Sequence, residues 1–225
     1  MMDASSQVKI YVDLMCPWAY QTSLWLREIR DVGAIDLSWG LFSLEEVNRE
    51  KGKKHPWERP WSYGWSMLRV GAYLRRRGEG SFEDYYVAVA GALHRDGRSV
   101  QYREVLEEVM DEAGIPVYAV QAAMDDESTN QEIWEDHERV LLAGGYGVPT
   151  LTVDDTRWLF GPVIRRAPEG AAALALWSVV KDWSSFSDLY ELRRLKSAED
   201  ERAIAESFAP YLNARSWRTS QNPHP

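Results

Sequence analysis

Three features of the amino-acid sequence predict an α/β fold. Residues 8–14 alternate, with Val8, Ile10, Val12 and Leu14 on one face; a helical pattern follows; and residues 35–42 alternate again. From residue 43 to about residue 143 only helical pattern and loop signals occur, and two short β-rich stretches and a helix come after them. The predicted order is β-α-β, an all-helical insertion, then β-β-α. Residues 7–43 and 144–196 would form one sheet-based domain, 44–143 the insertion, and 197–225 a C-terminal helix and tail.

The first strand gives way to a helix at Cys16-Pro17-Trp18-Ala19. Pro17 suits the first helical position, where a missing N–H is harmless, and Trp25, Ile29 and Val32 recur at spacings of four and three. Gly33 closes this helix, and the strand from Ile35 to Phe42 completes a βαβ unit. Parallel strands joined in this way need a right-handed crossover and place function at their carboxyl ends, where Cys16 lies.

In the insertion, residues 50–56 form a polar loop, a helix over 61–77 is stopped by Gly78, and a second over 82–94 is stopped by Asp96-Gly97. A third spans 100–113 before Gly114, and Pro116 opens a short fourth. Ser128-Thr129-Asn130-Gln131 is a capping box for a fifth, which runs to Leu142 before Gly144-Gly145. The β-rich stretch 146–153 carries Pro149 near its start, and Asp154-Asp155 turn it back into Trp158-Leu159-Phe160. Pro168 and Glu169 start a closing helix, residues 197–213 read as one further helix, and 215–225 as a disordered tail.

Cys16 is the only cysteine in the chain and stands at a helix start. Unpaired N–H groups and the positive end of the helix dipole favour a thiolate there, so its pKa is expected to fall from about 8.5 into the range of roughly 3.5–7.5. That makes the sulfur a candidate nucleophile. A lone cysteine forms no intramolecular disulfide, which fits a reducing compartment.

Composition bounds the partners. The chain has 225 residues, 45% hydrophobic and 12% aromatic, and a net charge of −9. Such acidity argues against nucleic acid, and the basic run Arg75-Arg76-Arg77 reads as the solvated end of a helix. No apolar run approaches the roughly 20 residues that span a bilayer, and the first six residues lack the pattern of a secretory signal, so a cytoplasmic protein with no membrane partner is expected. His55, His137 and His224 show no metal-ligand spacing with Cys16 or with carboxylates, so no metal is expected. The glycines at 144, 145 and 147 precede a strand and have no lysine beside them, which makes them a helix stop and not a phosphate loop.

Eleven tryptophans are the unusual feature of this chain. Trp18 beside the thiol, with Trp57, Trp61, Tyr63 and Trp65, reads as the wall of a flat apolar pocket for a planar molecule. The spacing of four among 57, 61 and 65 equally fits packing of the insertion onto the sheet. Asn48, after the second strand, is a candidate hydrogen-bond partner for a substrate head group. His94, ending an insertion helix, is a candidate proton donor, although a helix-terminal histidine also fits a dipole partner.

Cys16-Pro17-Trp18 at a strand–helix junction, Leu93-His94, Gly147-Val148-Pro149-Thr150 and Phe160-Gly161-Pro162-Val163 occur in this order within residues 8–195. Together they resemble the DsbA-like branch of the thioredoxin superfamily. Within it the chain looks most similar to the actinobacterial mycothiol-dependent nitroreductase and FrnE-like oxidoreductases, with 2-hydroxychromene-2-carboxylate isomerases and kappa-class glutathione transferases as cousins. The resemblance implies a thioredoxin-like fold in which Val148-Pro149 is a cis peptide facing Cys16, with Pro17, Trp18, Ala19, Val148 and Pro149 around the ligand. It also implies a low-molecular-weight thiol, mycothiol or glutathione, as cosubstrate. Redox members usually carry a second cysteine where Ala19 stands. Without one, Cys16 cannot release a bound thiol by internal disulfide formation, so a second thiol must arrive from outside.

These readings converge on a cytoplasmic monothiol oxidoreductase, monomer or homodimer, in which Cys16 works with that thiol on a small aromatic or disulfide substrate. Two alternatives stay open: a thiol-dependent isomerase or transferase of the hydroxychromene-carboxylate isomerase type, and a non-catalytic binding module that lost the resolving cysteine.

Overall fold

β1 (Ser6–Val12) buries Val8, Ile10 and Val12 as its alternation requires. The computed structural model describes residues 5–214, and the stretch read as a disordered tail lies outside the described residues. Asp13 to Cys16 turn the chain into α1 (Pro17–Asp31), which ends at Val32 with Gly33 in the left-handed region at φ +76°. β2 (Ile35–Leu41) returns parallel to β1, with Ile10 opposite Trp39 and Tyr11 opposite Gly40. The Tyr11 ring lies across that glycine: a Cβ there would sit 2.4 Å from Tyr11 Cδ1. The same ring stacks on Trp158 at 5.4 Å.

The sheet is completed after the insertion by β3 (Thr150–Val153) and β4 (Arg157–Phe160), in the order β2-β1-β3-β4. β3 runs antiparallel to β1 and β4 antiparallel to β3. The hairpin turn carries Asp154 and Asp155 at φ +51° and +57°, a conformation that short polar side chains tolerate. α8 (Gly170–Ser184) packs on α1, where Trp25 Nε1 donates to the Ala173 carbonyl at 2.9 Å.

The stretch between β2 and β3 is helical, as its pattern predicts. It contains α2 (Leu44–Val47), a 3-10 turn (Pro56–Glu58), α3 (Trp65–Arg75), α4 (Glu79–His94), α5 (Arg103–Glu112), α6 (Tyr118–Asp125) and α7 (Ser128–Leu142). α3 packs against α4, α6 and α7. Buried polar groups tie these helices to β2: Asp136 accepts from the Leu41 N–H at 3.1 Å and from Arg75 at 2.5 Å, and His137 Nδ1 accepts from the Ser43 N–H at 3.2 Å. Arg75 and Arg76 are thus ion-pair partners of α7, Arg76 meeting Glu132 at 2.6 Å, and not a freely solvated run.

Three local expectations change. α3 begins at Trp65 and not at residue 61, because Glu45 Oε2 reaches over from α2 and accepts from the N–H groups of Gly64 and Trp65, both at 3.0 Å. The capping box at Ser128 does not form: Asp126 Oδ1 takes both the Ser128 N–H (3.0 Å) and its hydroxyl (2.6 Å), so Ser128 stands inside the helix. The C-terminal helix is broken at Phe208 into α9 (Ala198–Ser207) and α10 (Ala209–Ala214).

Candidate active site

Cys16 is the N-cap of α1, with φ −97° and ψ 109°, Pro17 follows at the first helical position, and Sγ accepts from the Ala19 N–H at 3.4 Å. On its other side the S–H donates to the Val148 carbonyl, 3.4 Å away. The thiol therefore bridges the start of α1 and the loop that opens β3. The Val148–Pro149 peptide bond is cis.

The expected ionisation does not hold for this conformation. Cys16 is 4% exposed. Burial pushes its thiol up from 9.0 to about 12; the Ala19 and Trp18 N–H groups pull down, and the Asp13 carboxylate pushes up. The helix-start position is as predicted, but two N–H groups do not offset the removal of water from a charged sulfur. The closed site holds a neutral thiol.

Two further buried groups stand behind it. Asp13 is fully buried, with Oδ1 accepting from the Met15 N–H at 2.8 Å and Oδ2 from the Leu44 N–H at 2.6 Å. Burial raises its carboxyl from 3.8 to about 7 despite both bonds. His94, the last residue of α4, places Nε2 2.8 Å from the Leu14 carbonyl and leaves Nδ1 buried without a hydrogen-bond partner. Because a carbonyl only accepts, Nε2 carries the proton. Burial lowers this imidazole to about 4. A neutral ring whose one N–H is taken by the backbone is neither the expected proton donor nor a charged dipole partner.

The other predicted residues fall into two groups. Pro17 and Ala19 are buried beside Cys16, and Trp18 is half-buried. Tyr63 is half-buried, and its hydroxyl is pushed up by burial first and then by the Glu45 and Asp13 carboxylates. Asn48, by contrast, is exposed and its Nδ2 donates to its own Leu44 carbonyl at 2.8 Å, so the amide completes the end of α2. The single aromatic wall also divides. Trp57 and Trp65 join Trp134 around a separate cavity of about 220 Å³ whose lining contains neither Cys16 nor Trp18. Trp61 Nε1 donates to the Gln101 carbonyl at 2.9 Å. These three tryptophans thus pack within the insertion, and the contacts they make are neither a wall beside Cys16 nor a seam onto the sheet.

The comparisons with known proteins match this architecture. A family model described as Rv2466c-like, mycothiol-dependent nitroreductase Rv2466c, matches residues 15–194, a span that includes Cys16 and the Val148–Pro149 loop. The chain belongs to this family. It is thereby a member of a group of thiol-dependent oxidoreductases. The uncharacterized protein Rv2286c of Mycobacterium tuberculosis is 45% identical over 210 residues, 93% of this chain and 91% of the relative. Among solved structures, the probable DsbA oxidoreductase SCO1869 of Streptomyces coelicolor aligns with a TM-score of 0.58 at 18% identity, covering 86% of this chain and 94% of that one. Cytosolic disulfide reductase DsbM of Pseudomonas aeruginosa, solved with GSH, gives 0.54 at 14% identity over 78% and 99% of the two chains. A 2-hydroxychromene-2-carboxylate isomerase gives 0.55 at 14% over 78% and 93%. At these identities the likenesses show the fold, the thioredoxin-like DsbA architecture.

Several residues of the site have no counterpart in the sequence-based reading. Asp13 carries a visible signal, a carboxylate between the apolar Val12 and Leu14 just after β1. Phe208, whose ring meets Trp18 at 4.7 Å, and Tyr211, whose ring lies 5.1 Å from His94, carry none, because both stand near the far end of the chain. Among the described residues, no group of three or more His, Cys, Asp or Glu side chains is placed to hold a metal ion, and no helix is long and apolar enough to cross a membrane.

Proposed function

We propose that this family member is a cytoplasmic monothiol oxidoreductase in which Cys16 exchanges sulfur with a low-molecular-weight thiol, mycothiol in the first instance, while acting on a small aromatic or disulfide substrate. One observation carries the reading: the lone thiol sits at a helix start, its sulfur 3.4 Å from the Ala19 N–H and 3.4 Å from the Val148 carbonyl. On ionisation the sulfur keeps the first contact and frees the carbonyl, which can then pair with an extended thiol ligand in strand fashion. Pro17, Trp18 and Ala19 line one side of such a ligand, Val148 and Pro149 the other, and the Trp18 indole with Tyr63 offers a planar substrate faces to pack on. Asn48 and His94 serve this site by holding the end of α2 and the turn after β1.

The chemistry balances without a metal. The Cys16 thiolate attacks one sulfur of a disulfide, forming a mixed disulfide and releasing the other half as a thiolate that takes up the proton Cys16 gave up. A mycothiol thiolate then attacks the mixed disulfide, restores Cys16 and leaves the substrate half bonded to mycothiol. Ala19 supplies no internal sulfur for that second step.

Intact-mass analysis after incubation with mycothiol disulfide tests this, with glutathione disulfide in parallel. The expected result is one mycothiol on Cys16, removed by reduced mycothiol, and loss of both adduct and turnover in Cys16→Ser. One observation favours a second reading, in which Cys16 acts as a neutral donor beside a bound thiol: its S–H already donates to a carbonyl. Full turnover in Cys16→Ser selects that isomerase- or transferase-like chemistry and refutes the first.

A further inference from the structure

α9 and α10 lie across the residues that the proposed site presents to a ligand. Phe208, at the break between them, meets the Trp18 ring edge-on at 4.7 Å and 88°. Lys196, just before α9, places Nζ 5.6 Å over the same ring. Tyr211 in α10 covers one side of His94 at 5.1 Å, and Tyr20 lies against that imidazole at 5.3 Å. Trp18, which borders the thiol, and His94 behind it are thus covered by the chain's own C-terminal segment.

The attachment of this segment is slight. No residue of α9 is buried, and α10 buries only Ala214 among its own residues. Among the described residues its polar ties include Arg165 to the Ser207 hydroxyl at 2.9 Å, and Gln101 and Ser99 to the Ala214 carbonyl at 3.0 and 3.4 Å. The tether that leads to it leaves Tyr190 and Leu195 88% and 85% exposed. A segment with so little buried area opens locally at far lower free energy than the core. A sulfur that must meet a disulfide in line cannot do so while 4% exposed, so something has to move.

We propose that the α9–α10 segment is a strap that closes the Cys16 site and lifts to admit the ligand, with Phe208 and Tyr211 as the two side chains that hold it shut. The inference rests on Cys16 being the reacting sulfur, as proposed above, and adds what controls access to it. Lifting returns water to the thiol and removes the burial that keeps it protonated, so access and activation become one event.

The test is the rate at which full-length protein reacts with 5,5′-dithiobis(2-nitrobenzoate). The Cys16 thiolate attacks the reagent's disulfide, forms the aryl mixed disulfide and releases one thionitrobenzoate anion. The Phe208→Ala/Tyr211→Ala double variant is expected to react at least tenfold faster than wild type with an unchanged cooperative melt. Arg165→Ala, which removes only an exposed tie, is expected to react a few-fold faster and cannot unfold the core. In wild type carrying the adduct, amides of residues 198–214 should exchange hydrogen faster than in unmodified protein, while those of α8 stay protected. Wild-type reaction rates in both folded variants, or unchanged exchange of the strap in the adduct, overturn the proposal. Faster reaction without mycothiol-dependent turnover leaves the strap standing and removes the proposed function instead.

Discussion

Asp13→Asn isolates the electrostatic strain behind the thiol. Both carboxylate oxygens accept a backbone N–H, from Met15 and from Leu44. Asparagine keeps the shape but offers one acceptor, so one N–H faces an NH2 group, which costs about 1–3 kcal/mol at every pH. The charge, in contrast, matters differently at each pH. The folded carboxyl titrates near 7 against an ordinary 3.8. Between those values the folded protein holds a proton that the unfolded chain has released, so stability falls by about 1.4 kcal/mol per pH unit. This contribution is complete below the unfolded value and gone above the folded one. From pH 5 to 7 the wild type should therefore lose about 2 kcal/mol that the variant keeps, the slope easing as the folded value is reached. His94 and His137, both lowered to about 4 by burial, act in the opposite direction below their ordinary 6.5, but they are common to both proteins and cancel. Urea unfolding of the two proteins at pH 5, 6, 7 and 8 measures the difference. A gap between them that stays constant across the series refutes the buried-charge account.

Two other substitutions probe the site and the sheet. Ala19→Cys places a second sulfur one turn from Cys16 in a fully buried position; it should cost about 1–3 kcal/mol through overpacking and yet form an internal disulfide, seen as a loss of two hydrogens by mass under mild oxidation. Two free thiols persisting in oxidant would contradict the helix-start geometry. Gly40→Ala drives a methyl to within 2.4 Å of Tyr11 Cδ1 and should lower stability by about 1–3 kcal/mol, with part of the loss recovered in the Tyr11→Ala background; equal losses in both backgrounds would show that ring contact is not the cause.

The sheet and its helical insertion are legible because they rest on local rules. Val8, Ile10 and Val12 alternate, Pro17 and Gly33 mark the two ends of α1, and Asp154-Asp155 mark a hairpin. What escapes such rules depends on distant atoms. Glu45 caps a helix nineteen positions later in the chain, and Asp126 displaces the capping box at Ser128, because in each case a carboxylate from outside the local pattern reaches the N–H groups first. The same holds at the site. That Cys16 caps α1 follows from Pro17 and the strand before it. That its pKa rises and does not fall follows from burial, which no local pattern reports. Asn48 and His94 show the complementary limit: their chemistry is visible in the sequence, but the backbone carbonyls that take up their N–H groups are visible only in the fold.

A protonated, covered sulfur has a bearing on wear as well as on turnover. Peroxide oxidises thiolates, and progression past the sulfenic state is irreversible for most proteins. With its hydrogen donated to Val148 and water excluded, Cys16 at rest is a poor target for that damage. A chain with no second cysteine to rescue an oxidised first one keeps its only thiol intact by shielding it between encounters.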